Sequence, residues 1–165
     1  MRSRRRVTIE LHAALNTARF RDPDLPFQRL VLATSWVVAL VQVLVQWLDR
    51  QELTIRIAWP DGLDAEKQIL ALILSDGLKA GWLSFSSNEE LLTKLEHDAT
   101  RAPTDWICLQ SSPTDRTPRA HIWQHQLVVD QRPVFSSDLG PEVVSQHTSI
   151  DAWKATLRSA LEALL

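Results

Sequence analysis

Tyrosine is absent from this 165-residue chain, cysteine occurs once and glycine four times. Without tyrosine there is no phenolic acid–base chemistry. One cysteine excludes an internal disulfide framework and a thiolate zinc cluster. Four scattered glycines leave nothing for a phosphate-cradling loop, which needs several glycines close together. Charge of one sign is also lacking, with 18 basic against 20 acidic residues and a net charge of −2. That balance argues against binding nucleic acid or anionic membrane over the whole surface. What the chain has instead is seven tryptophans and 45% hydrophobic residues, enough for one domain with a substantial core.

The N-terminus carries Arg2, Arg4, Arg5 and Arg6 and then runs into Val7-Thr8-Ile9-Glu10, with no apolar signal segment or cleavage site behind it. Cys108 lies in the apolar run Trp106-Ile107-Cys108-Leu109 and reads as a buried, inert thiol, in keeping with the cytoplasm. Leu30 to Leu48 contains no charge and meets the length criterion for a membrane span. At about 100° per residue, however, Gln28, Ser35, Ala39, Gln42, Gln46 and Asp49 fall on one narrow stripe. A lipid-facing helix has no reason to keep such a register. The expectation is a long helix buried on most sides, with one wet or partner-facing seam.

Along the chain, Val7, Leu11, Ala14, Leu15 and Ala18 follow helical spacing, although Ile9 leaves room for a short opening strand. Asp24 and Pro26 are placed to start the long helix. From Leu53 to Trp59 the period becomes two and a strand is expected. Asp64 can cap a helix that Gly81 ends. Leu83 and Phe85 belong to a short strand. Ser87 and Glu90 form a capping box for a helix through Leu95. Trp106 to Leu109 and His121 to Val129 are further strands, Val134-Phe135 a short return, and Ser136 to Ser149 a polar, irregular stretch. Ile150, Trp153, Leu157, Ala160, Leu161 and Leu164 mark an amphipathic C-terminal helix. The order implies an α/β or α+β fold, with a small, mostly parallel sheet, a C-terminal antiparallel hairpin and about five helices. A single globular domain spans residues 1–165, with 1–6 as a flexible basic arm.

His121 and His125, four apart on a strand, share a face and are the metal candidates for a small metal-dependent enzyme. His97, His147, Asp130 or Glu142 would have to supply further ligands. Otherwise the pair belongs to an exposed, half-polar sheet face with Gln124 and Gln126 behind it. No Gly-x-Ser-x-Gly elbow is present. Asp61, Asp64 and Glu66 follow the Leu53–Trp59 strand, where an α/β fold can hold Mg²⁺, yet a turn, a cap and a first-turn acid explain all three.

Residues 1–29 hold seven arginines against three acids, so the leading Arg2, Arg4, Arg5 and Arg6 could contact phosphate in a nucleic-acid-associated protein. No base-reading motif accompanies them. Tryptophan is enriched at interfaces. Without a coherent catalytic set, the chain reads as a non-enzymatic protein–protein interaction domain, an adaptor or accessory subunit of a larger complex. It needs no cofactor, and its partner-binding candidates are Gln42, Gln46 and Trp153.

Overall fold

The computed structural model describes residues 5–23, 25, 27–49, 51–130, 132–144 and 150–165. The first strand is β1 (Arg5–Leu11), followed by a 3-10 turn (Ala13–Thr17) and the long helix α1 (Arg29–Trp47). Next come β2 (Leu53–Trp59), α2 (Asp64–Ile73), α3 (Ser75–Ala80), β3 (Leu83–Ser87), α4 (Leu91–Ala99) and β4 (Thr104–Gln110). The chain continues through β5 (Ile122–Val128), β6 (Val134–Ser137), β7 (Gly140–Val144) and α5 (Ile150–Leu164). All seven strands form one sheet in the order β3-β2-β1-β4-β5-β6-β7. The first five are parallel, and β6 and β7 continue it antiparallel.

The helix expected from Val7 onward is a strand. Val7, Ile9 and Leu11 are buried at the two-residue interval of a pleat, and so are Thr8 and Glu10 on the other side. β1 lies between β2 and β4 and is covered on both faces, which favours extended backbone over local helical spacing. Arg5 and Arg6 therefore belong to the sheet and not to the N-terminal arm. Asp24 and Pro26, the expected start of the long helix, lie outside the described residues. α1 begins at Arg29, whose guanidinium is held by both oxygens of Asp22 at 2.7 Å, also meets Asp130 at 2.8 Å, and lies over the Phe20 ring. Asp22 raises its pKa further above the ordinary arginine value.

Leu30, Ala33, Val37, Leu40, Val41 and Leu44 of α1 pack on the row Leu11–Leu109–Leu127–Phe135 and the isoleucines beside it. α1 is long and apolar enough to cross a membrane by length and composition, and here it lies on the sheet. α5 packs beside it. The single helix expected from Asp64 is broken at Leu74 into α2 and α3. Asp64 is a first-turn residue there and makes no capping bond. Gly77 of α3 sits against Trp82, where an added Cβ would come within 2.5 Å of the ring. The stretch expected to be irregular after Ser136 contains β7.

α4 covers the opposite face of the sheet. Its Asp98 accepts hydrogen bonds from Arg6 of β1 and from Arg56 of β2, the register partner of Thr8 on that face. Beyond α4, the β4–β5 crossover carries no helix. Residues 111–121 cross as a loop, and that loop creates the cavity described next.

Candidate functional site

Parallel strands bind ligands beyond their carboxyl ends, where the strand order reverses direction. Here the reversal lies between β1 and β4. On the α4 side of the sheet, Glu10, Cys108, Gln126 and Ser136 stand in one row, with Thr8, Trp106 and Gln124 in the row before it. The loop at 111–121 arches over them and leaves a cavity of about 230 Å³. Polar contacts pin the loop. Gln110 Nε2 donates to Thr114 Oγ1 at 3.0 Å, Gln126 Nε2 donates to the same hydroxyl at 3.2 Å, and Gln124 Nε2 donates to the Thr117 carbonyl. Arg116 reaches the Gln124 carbonyl, Asp138 and Ser136.

Glu10 is the buried carboxylate of this cavity. It is 8% exposed, and its Oε2 accepts a 3.0 Å hydrogen bond from the Trp106 indole N–H. Leu11, His12, Ala13 and Ala14 follow it, so the chain leaving β1 adds neither a second carboxylate nor a hydroxyl. A hard dication wants six or more oxygen donors. Among the described residues, no group of three or more His, Cys, Asp or Glu could hold a metal ion.

Cys108, beside Glu10 in the row, donates its thiol toward Gln110 Oε1 at 3.6 Å. Burial pushes its pKa far up, and the Glu10 charge pushes the same way. The folded thiol is then unreactive. In the folded protein Cys108 should resist a thiol-reactive disulfide at pH 8, whereas the urea-unfolded chain reacts fully. The unfolded thiol releases its proton near pH ~8.5 and the folded one does not. The associated stability is complete below that pH and falls as pH rises above it. Urea midpoints at pH 7 and 9.5 should show the decline, and Cys108→Ala should reduce it.

His121 and His125 are not brought together. His121 is exposed in the turn before β5, with φ +60°. His125 is buried on the α1 side of the sheet, its ring stacked on Phe135. Its Nε2 meets Asp105 Oδ1 at 3.0 Å and its Nδ1 meets Ser137 Oγ at 2.9 Å, so both ring nitrogens are occupied. The group ties β4, β5 and β6 together, and Arg5 completes it by donating to Asp105 at 3.1 Å. His147 and the side chain of Glu142 lie outside the described residues. Asp61 and Asp64 are exposed, and Glu66 pairs with Arg19 at 2.9 Å. Of the four leading arginines, Arg5 and Arg6 are held by Asp105 and Asp98, and Arg2 and Arg4 lie outside the described residues. The sheet face expected to be exposed at His125 is buried, and Gln124 and Gln126, on the other side as expected, are buried under the loop.

The second feature is the outer surface of α1 and α2. Ser35, Gln42 and Gln46 are exposed, and Ala39 is half-buried between them. Alongside, α2 buries Leu70 but leaves Ile69 57%, Leu72 76% and Ile73 52% exposed. Between the two helices runs a groove of about 370 Å³, floored by Val38 and Leu70. Trp153 is not on a surface at all. It is 5% exposed in the core, while Trp47 and Trp123 are the exposed tryptophans. Sequence reasoning missed Glu10 and Trp106 as a pair and Ile69 and Leu72 as surface residues. The only available signal for α2 was an apolar stripe too wide for a ten-residue helix.

Residues 1–129 match the family model described as "ivWA: vWA domain found in the FtsH ternary systems". The match spans β1 to β5 and includes the cavity floor, while β6, β7 and α5 lie beyond it. The α/β sheet with its crossovers is a vWA-like, Rossmann-type fold. No curated protein and no solved structure matches the chain.

Proposed function

The chain belongs to the ivWA family, the vWA domains found in the FtsH ternary systems, and from that we propose that it is a non-enzymatic interaction module, an accessory or regulatory subunit that binds a protein partner within such a system. vWA domains commonly mediate protein–protein interactions in complexes. The observation that carries the reading is α2, a helix that leaves Ile69, Leu72 and Ile73 more exposed than covered. A contiguous apolar patch rimmed by polar groups is the usual mark of an interaction surface. Ser35 and Gln42 line its polar side, with Gln46 exposed further along α1, and the groove between α1 and α2 gives a partner side chain somewhere to seat. The half-buried, protonated Cys108 fits a reducing compartment, and the cytoplasm is the proposed location.

Co-purification from a host carrying the FtsH-system proteins tests this. The tagged chain should recover a component of that system. Leu72→Glu and Ile69→Glu should each lower recovery by roughly tenfold or more, the effect of removing an interface anchor. Both residues are exposed, so urea midpoints should stay within about 0.5 kcal/mol of the parent. Undiminished recovery with both charged variants would remove this face from the interaction.

A further inference from the structure

The cavity under the 111–121 loop lies on the opposite face of the sheet from α1 and α2, and it has a chemistry of its own. Its inner end holds a buried carboxylate that accepts from a neutral donor, the Trp106 indole. No cation lies within ion-pair distance of Glu10 among the described residues. The two arginines that line the cavity are each engaged by carboxylates outside its lining. Arg116 meets Asp138 at 3.0 Å, and Arg119 meets Glu96 at 2.7 Å. Asp115, exposed at the rim, adds a second negative group. A buried anion without a counter-charge is costly, and a bound cation would relieve that cost.

We propose that this cavity binds an organic cation, a guanidinium or ammonium group on an alkyl stem, with Glu10 as its counter-charge. The volume of about 230 Å³ far exceeds the roughly 30 Å³ share of one water and suits a side-chain-sized group. Trp106 lines the cavity and offers an aromatic surface of the kind that attracts cations. Gln124 and Gln126, which both line the cavity, spend amide N–H groups on Thr117 and Thr114, which leaves their carbonyl oxygens to accept from N–H donors. A guanidinium needs just such acceptors around it, since it donates five hydrogen bonds and accepts none. The same group can arrive on a free amine or on a basic side chain of a protein, and the test separates the two.

The Trp106 indole N–H reports on Glu10 directly, because Glu10 is its acceptor. In ¹H–¹⁵N spectra of the whole chain, N-acetyl-arginine amide should shift that resonance saturably, and the neutral N-acetyl-citrulline amide should bind at least tenfold more weakly. Glu10→Gln keeps an oxygen for the indole and removes the charge. It should weaken arginine-amide binding at least tenfold at a urea midpoint no lower than the parent's, since the uncompensated charge is gone. A neutral peptide carrying one arginine that binds more tightly than the free amide assigns the group to a protein. Tighter binding of the free amide or of n-butylamine assigns it to a small molecule. Equal binding of arginine and citrulline amides, full affinity in Glu10→Gln, or no saturation by any of these cations overturns the proposal. Magnesium chloride alone shifting the indole while the arginine amide does not also overturns it. Should Glu10→Gln fail to fold, the arginine–citrulline comparison on the unmodified chain decides. None of these readouts involves α2, so failure here and failure of the docking face are distinguishable.

Discussion

Asp98→Ala should lower the unfolding free energy by about 3–5 kcal/mol, the range for breaking a buried ion pair from one side. Asp98 sits near the end of α4, buried against the sheet, and its two oxygens serve different strands. Oδ1 accepts from Arg6 and Oδ2 from Arg56. The arginine side chains are only 15% and 17% exposed. Removing the carboxylate leaves two guanidiniums without their shared counter-charge and with little water to solvate them. The Arg6 Nε is already buried without a partner among the described residues, which offer the site no spare acceptor. The urea midpoint should fall with an unchanged denaturant slope, since the folded surface stays the same. Arg56→Met in the Asp98→Ala background should recover part of the loss, because one of the stranded charges is gone. A loss below about 1 kcal/mol, the value of an exposed pair, would show that water reaches this site.

That contact also explains why β1 was hard to read. Val7, Ile9 and Leu11 alternate, but Val7, Leu11, Ala14, Leu15 and Ala18 also fit a helix, and local pattern cannot separate the two. Arg6, Thr8 and Glu10 look like the solvent side of either element. Their burial depends on Asp98, 92 residues away, and on Trp106, 96 residues away, and neither distance leaves a trace in local spacing. β2 was legible because its apolar positions alternate over seven residues between clear breaks, and β4 because its centre, Trp106 to Leu109, is a continuous apolar run. β7 was not, since Ser136 to Ser149 carries few of the residues that mark a strand and pairs only with β6.

The functional surfaces were legible to different degrees, for the same reason. Helical angles alone bring Ser35, Ala39, Gln42 and Gln46 together, so that stripe was available from sequence. Its neighbour α2 was not, because Ile69, Leu72 and Ile73 look like core until the packing of α2 on α1 shows that only Leu70 and Leu74 are covered. The cavity was the least legible. It exists because the β4–β5 crossover is a loop where a helix would have filled the space over Glu10, and the glutamines that pin that loop read as ordinary surface residues.

Trp153 separates interface from core most sharply, and Trp153→Ala should destabilise the domain by about 3–5 kcal/mol without a selective effect on partner capture. α5 packs on α1 and β6, and Trp153 is part of the main core cluster. An indole truncated there leaves a cavity that helices held on both sides cannot close. Its Nε1 is buried and has no hydrogen-bond partner among the described residues, an unfavourable feature the folded state already carries. Trp153→Phe gives up volume but also removes that unmet donor, which is worth about 1–3 kcal/mol when stranded. The phenylalanine variant should therefore lie within about 1.5 kcal/mol of the parent, much closer to it than to the alanine variant. Urea unfolding of the three proteins measures both gaps. Equal losses for phenylalanine and alanine would mean that the indole N–H has an acceptor and that the cost lies in the bond. Partner recovery should follow the folded fraction in every Trp153 variant, whereas Leu72→Glu loses partner with the fold intact. That contrast distinguishes a residue that holds the surface in place from one that forms it.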